Sequence, residues 1–164
     1  MASESEIIAL DRLNMECHIQ ASGCAFDPVR RSNGLSQELK EGAEVLEVRR
    51  NSTLVAYLEY LPIRDGVIRV PSIQVHPMFH GTSVLRSLLS SAASKMSGWP
   101  EATLQSKVHL TNVASIRLHQ KLGFSQVSSN NSGIVFETSL VKLRSRLSHF
   151  KRMPNPSINT DAAR

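Results

Sequence analysis

Asn112-Val-Ala-Ser115-Ile-Arg-Leu118-His119-Gln-Lys121-Leu-Gly123-Phe124 reads as a short helix with both of its ends written in the sequence. Thr111 or Asn112 supplies an N-cap oxygen, and Gly123 stands where a helix commonly ends in a left-handed residue. Upstream, Val75-His76-Pro77-Met-Phe79-His80-Gly81-Thr82-Ser83-Val84-Leu85-Arg86-Ser-Leu88-Leu89 passes from a strand through a glycine-containing turn into a second helix. Such a junction leaves backbone N–H groups unpaired beside the positive end of the helix dipole, an arrangement that binds phosphate. Gly81 permits close approach, and Thr82 and Ser83 add hydroxyl donors. An ordinary capped helix would look the same, so this junction alone settles nothing.

Working outward, Val84, Leu85, Leu88, Leu89 and Ala92 share one helical face until Gly98-Trp99-Pro100 breaks the pattern. Before the junction the period is two: residues 45–48, 54–61 and 67–75 read as three strands joined by tight turns at Asn51-Ser52 and Arg64-Asp65-Gly66. Ile7, Ile8, Leu10, Leu13, Met15 and Ile19 recur at helical spacing, with Ser3 or Ser5 as N-cap. Residues 23–34, with Pro28, Asn33 and two glycines, read as a loop, and residues 35–41 as a short helix closed by Gly42. After the first-quoted helix, strands at 124–127 and 133–140 flank a loop at 128–132. The expected fold is α/β (α+β), a mixed and mostly antiparallel central sheet flanked by helices.

Composition narrows the class. At 164 residues, 41% hydrophobic and 20% charged, the chain has the make-up of one globular domain, expected over residues 1–141. No apolar run is long enough to span a bilayer, and the acidic start lacks the charge of a signal peptide, so a cytoplasmic setting is expected. Cys17 and Cys24 make no disulfide framework. The net charge of +5 resides in Lys142, Arg144, Arg146, Lys151 and Arg152; the remaining charges cancel. Residues 142–164 are therefore a basic C-terminal segment with a disordered end. A solvated tail explains it better than nucleic acid or an anionic membrane does.

The two quoted stretches resemble the GNAT N-acetyltransferases. Asn112, Ser115, Leu118, Lys121, Gly123 and Phe124 fit the motif on the helix after that family's fifth strand, and residues 75–89 look like its coenzyme A loop. The resemblance implies acetyl-coenzyme A as acyl donor and no metal. The pantetheine arm would pair with Ile73, Gln74 and Val75, and the pyrophosphate would rest on the N–H groups of His80, Gly81, Thr82, Ser83, Val84 and Leu85. Asn112 and Ser115 would lie near the pantetheine, and Arg86 and Lys121 near phosphate. His119 occupies the place of the tyrosine that protonates the departing thiolate. His80, Ser83 and Leu85 depart from the usual residues, Leu85 by adding bulk where close approach is needed.

The implied chemistry is direct attack of a primary amine on the thioester, which needs a base, an oxyanion donor and an acid for sulfur. A backbone N–H near Val75 suits the oxyanion. Glu59 and His76 are the candidate bases, although a strand glutamate most often faces solvent. The acceptor would be a small-molecule or peptide amine, and family analogy suggests a homodimer. Two other readings stay open: a weak or inactive GNAT-fold protein that binds acyl-coenzyme A or a macromolecular partner, and a nucleic-acid or membrane module using the basic segment.

Overall fold

A computed structural model describes residues 2–64, 66–80 and 83–150, excluding the side chain of residue 150. Helix α1 (Glu4–Gln20) starts in a capping box, in which Ser3 and Glu6 each satisfy the other's backbone N–H. Helix α2 (Pro28–Lys40) corrects the expected loop. Asp27 Oδ1 accepts from Arg30 N at 2.9 Å, and Pro28 occupies the first helical position, where its missing N–H costs nothing. Asn33 and Gly34 sit inside this helix, tolerated because Leu35 is fully buried beneath it.

Strands β1 (Glu44–Arg50), β2 (Thr53–Arg64) and β3 (Val67–Val75) form the expected antiparallel meander. Asn51 and Ser52 both take positive φ, as a two-residue hairpin requires. After a short 3₁₀ turn at Pro77–Phe79, helix α3 (Ser83–Lys95) carries the chain across to β4 (Thr103–Val108), which lies parallel to β3. Helix α4 (Val113–Lys121) has Asn112 as its N-cap, and Gly123 follows with φ +85°. Strands β5 (Ser125–Asn130) and β6 (Gly133–Ser139) are joined by Asn131 and Ser132 alone, a tighter hairpin than the loop expected at 128–132. The sheet order is β1-β2-β3-β4-β6-β5, and only the β3–β4 pairing is parallel.

Two cores flank the sheet. On one face α3, α4 and α5 (Leu140–Phe150) cover Leu58, Ile68, Val70 and Leu104. On the other, Ile7 and Leu10 of α1 and Leu35 of α2 pack on Leu54 and Tyr57. Helix α5 was not expected. Leu140, Leu143 and Leu147 are buried in the main core, each worth about 1.5–3 kcal/mol of transfer free energy. The boundary expected at residue 141 thus falls inside a core helix, and Arg144 donates to the Ala93 carbonyl at 2.7 Å. The disordered end, expected over residues 153–164, lies outside the described residues.

Candidate active site

The site begins as a fault in the sheet. Glu59 lies opposite Ser72 and Leu61 opposite Arg69, so β3 carries one residue more than β2 across this interval. Pro71 sits in that bulge, and without an N–H it cannot continue a ladder on either side. Pairing with β4 stops there too: the last pair is Val70 with Ser106, and residues 71–75 run on without a β4 partner. The two parallel strands therefore part.

The exposed edge has a definite chemistry. His76 N donates to Val55 O at 2.8 Å, which makes Ala56–Val75 a non-hydrogen-bonded pair of the antiparallel ladder. By alternation, the main-chain groups of Ile73 and Val75 point into the gap. Those of Gln74 point to Tyr57 of β2, so Gln74 contributes its side chain rather than the expected backbone pairing. The Val75 carbonyl accepts from Asn14 Nδ2 at 3.1 Å and from His80 Nε2 at 2.7 Å. The gap widens into a cavity of about 620 Å³ reaching both faces of the sheet, from Asp11, Asn14 and Arg31 on one side to Leu85, Ser106, Asn112, Ser115 and His119 on the other.

On the α4 side, His119 is 5% exposed, its ring stacked on Phe136 at 5.2 Å and edge-on to Phe124 at 5.0 Å. Nδ1 lies 2.8 Å from the Ser115 carbonyl, which only accepts, so Nδ1 carries the hydrogen. Nε2 lies 3.1 Å from Ser106 Oγ. Burial pushes the imidazole below its ordinary pKa, against a smaller opposing effect of the Ser115 carbonyl. At rest, a neutral ring with its one N–H engaged presents an acceptor at Nε2, so it holds no proton of its own there for the thiolate, as His119 was expected to. Ser115 also gives its N–H to Asn112 Oδ1 at 3.0 Å, so Asn112 caps the helix while lining the cavity.

The opposite wall is ionic. Arg31 Nε donates to Asp11 Oδ2 at 2.6 Å, Nη2 to Glu59 Oε2 at 2.8 Å, and Nη1 to Glu38 Oε2 at 3.4 Å. The Tyr57 hydroxyl donates to Asp11 Oδ1, and Ser72 Oγ lies 2.8 Å from that hydroxyl. Glu59 is not on a solvent face: it is fully buried and bonded to Arg31 through one oxygen, while Oε1 has no hydrogen-bond partner among the described residues. Burial pushes its carboxyl up to about 7; Arg31 opposes this and Glu38 adds to it. Asp11, Arg31 and Glu38 line the cavity in front of Glu59.

Among the loop residues, His80 and Leu85 reach the cavity, Val84 is buried in the main core, and Ser83 opens α3 with Arg86 in its first turn. Gly81 and Thr82 lie outside the described residues. His76 turns its Nδ1 to Met78 N at 3.3 Å and does not line the cavity. Sequence reasoning missed Asp11, Arg31 and Ser106, along with His18 and His109, which both line the cavity near Thr111. Asp11, a buried acid in the Ile7–Leu10 stripe of α1, was the one available signal. Among the described residues, no group of three or more His, Cys, Asp or Glu is placed to hold a metal.

Residues 8–124 match the model of the acetyltransferase (GNAT) family. The fold is shared with the PaiA N-acetyltransferase of Thermoplasma acidophilum in complex with coenzyme A, at 16% identity and TM-score 0.66 over 83% of this chain and 92% of that one. It is shared with YncA, a putative acetyltransferase of Salmonella typhimurium holding acetyl-CoA, at 20% identity and TM-score 0.57 over 85% and 91%. The ribosomal-protein-S18-alanine N-acetyltransferase of Escherichia coli aligns at 17% identity and TM-score 0.61 over 85% and 90%. No curated protein matches the chain closely enough in sequence to count as a relative.

Proposed function

The chain belongs to the GNAT acetyltransferase family, and on that premise we propose that it transfers an acetyl group from acetyl-CoA to a primary amine by direct attack on the thioester. The observation that carries this reading is the parting of β3 from β4 at Pro71, which turns the main chain of Ile73 and Val75 toward a cavity open to both faces. Acetyl-CoA, when bound, supplies an activated acyl group.

The main chain of Ile73 and Val75 would hold its amide arm, and the N–H groups from His80 to Leu85, with Arg86, its phosphates. Asn112 and Ser115 line the same channel. The Val75 N–H, facing the gap, suits the oxyanion of the tetrahedral state. An amine would enter past Asp11 and Glu38, whose carboxylates favour an ammonium. Glu59, with a carboxyl held near neutrality, has the basicity to take its proton by way of Glu38, the carboxylate that lines the cavity and interacts with Glu59, while Arg31 remains a cation that holds the acids in place. Two exposed free thiols, Cys17 and Cys24, fit a reducing cytoplasmic setting.

Incubation of the full chain with acetyl-CoA and a panel of amines (polyamines, aminoglycosides, free peptide N-termini, lysine peptides) tests this. One amine class should gain an acetyl group in step with coenzyme A release, and Glu59→Gln should shift the rate's rise to a different pH. Acetyl-CoA binding without product from any amine would favour the second reading, a non-catalytic acyl-CoA binder. The engaged His119 ring and the bulk of Leu85 on the cavity wall support that alternative.

A further inference from the structure

Ser106 is the last β4 residue paired with β3, opposite Val70 at the edge of the opening, and it lines the cavity. Its hydroxyl lies 3.1 Å from His119 Nε2. The Ser115 carbonyl, 2.8 Å from Nδ1, holds the hydrogen on the far nitrogen, leaving Nε2 a lone pair to which Ser106 donates. Phe124 and Phe136 fix the ring in this pose. A hydroxyl, an imidazole that accepts its proton, and an acceptor that fixes the tautomer are the parts of an activated serine nucleophile.

We propose that Ser106 is such a nucleophile and gives the protein a second activity, hydrolysis of acyl-CoA thioesters through an acyl-serine when no amine is present. The proposal rests on the acetyl-CoA reading above. In the first step Ser106 Oγ bonds to the thioester carbonyl carbon and the C–S bond breaks. The Oγ proton passes to His119 Nε2 and then to sulfur, releasing coenzyme A as the thiol. In the second step water attacks the ester carbonyl and gives a proton to Nε2. The C–Oγ bond then breaks, and Oγ recovers that proton as acetic acid departs, which loses its remaining proton to solvent. A carbonyl orients the imidazole but does not neutralise its cation as a carboxylate would, so both steps are slow.

The test separates this from the cofactor reading. The full chain without acetyl-CoA is treated with diisopropyl fluorophosphate and the adduct is mapped by peptide mass. Ser106 takes the label in the wild type, Ser106→Ala shows none, and His119→Gln labels about a hundredfold more slowly, each variant's fold being checked by its melting curve. Acetyl-CoA alone is then hydrolysed by the wild type and not by Ser106→Ala. Equal labelling in His119→Gln, or hydrolysis by Ser106→Ala at the wild-type rate, overturns the proposal. A coenzyme A melting shift with Ser106 inert also overturns it and leaves the transferase reading standing. A labelled Ser106 with no coenzyme A shift removes the cofactor reading and the thioester activity with it.

Discussion

The two walls of the gap are built from opposite materials. On the α4 side His119 sits between two phenylalanines with every polar atom paired to a neutral group. On the α1–α2 side Arg31 is surrounded by Asp11, Glu38 and Glu59. Burial acts on both and pushes their titrations in opposite directions, because it disfavours the charged form of each: it lowers the imidazole and raises the carboxyl. The pair teaches that burial at a single gap can hold a base neutral on one side and raise a carboxyl towards neutrality on the other.

Removing the cation is the harshest way to break this contrast. Arg31→Met leaves Asp11 and Glu59, which are 3% and 0% exposed, without their partner. A loss of about 3–5 kcal/mol in urea unfolding is expected. A loss under about 1 kcal/mol would mean that the ionic wall does not hold α1 and α2 to the sheet.

The pH dependence sharpens the comparison next. Glu59 has its folded pKa raised from 4.5 to about 7, so the folded state binds more protons across that interval. Its contribution therefore falls as pH rises from about 4.5 to 7, by on the order of 3 kcal/mol at most. His119 has its folded pKa lowered, so the unfolded state binds more protons below the ordinary histidine value of about 6.5, and its contribution falls as pH drops through that region. Glu59→Gln should leave stability rising with pH, and His119→Gln should leave it falling. The check is a set of denaturant melts from pH 4.5 to 7.5, and the same slope in both variants would contradict the assignment.

The smallest effect separates structure from function at one residue. Asn112→Ala removes the Oδ1 that caps α4 and should cost about 1 kcal/mol. If Asn112 also touches the pantetheine, the variant should give a smaller acetyl-CoA melting shift than the wild type does at equal ligand. An undiminished shift would make it a cap alone.

Legibility in the sequence follows the same divide. The α4 wall is local: N-cap, helix face and Gly123 lie within thirteen positions, and residues 112–124 carried the fold. Strand pairing and the Asn51-Ser52 turn were readable for the same reason, their signals being adjacent residues. The start of α2 was hidden because Asn33 and Gly34 outweighed the Asp27-Pro28 signal that sets it. The face of α5 was hidden among its basic residues, although Leu140, Leu143 and Leu147 recur at helical spacing. The ionic wall could not be read, since Arg31 meets residues 20 positions before it and 28 after it. Ser106 had no motif at all; only the fold brings it to His119, 13 positions away.

A thermal melt titrated with acetyl-CoA, with coenzyme A, and with ATP as a phosphate control tests most directly whether the gap between β3 and β4 receives the donor. Both coenzyme A species should stabilise the protein by about 2.7 kcal/mol at a hundred times their Kd, a shift of roughly 5–11 °C, and ATP should not. No shift at millimolar ligand, or an equal shift with ATP, would contradict a donor site in the gap.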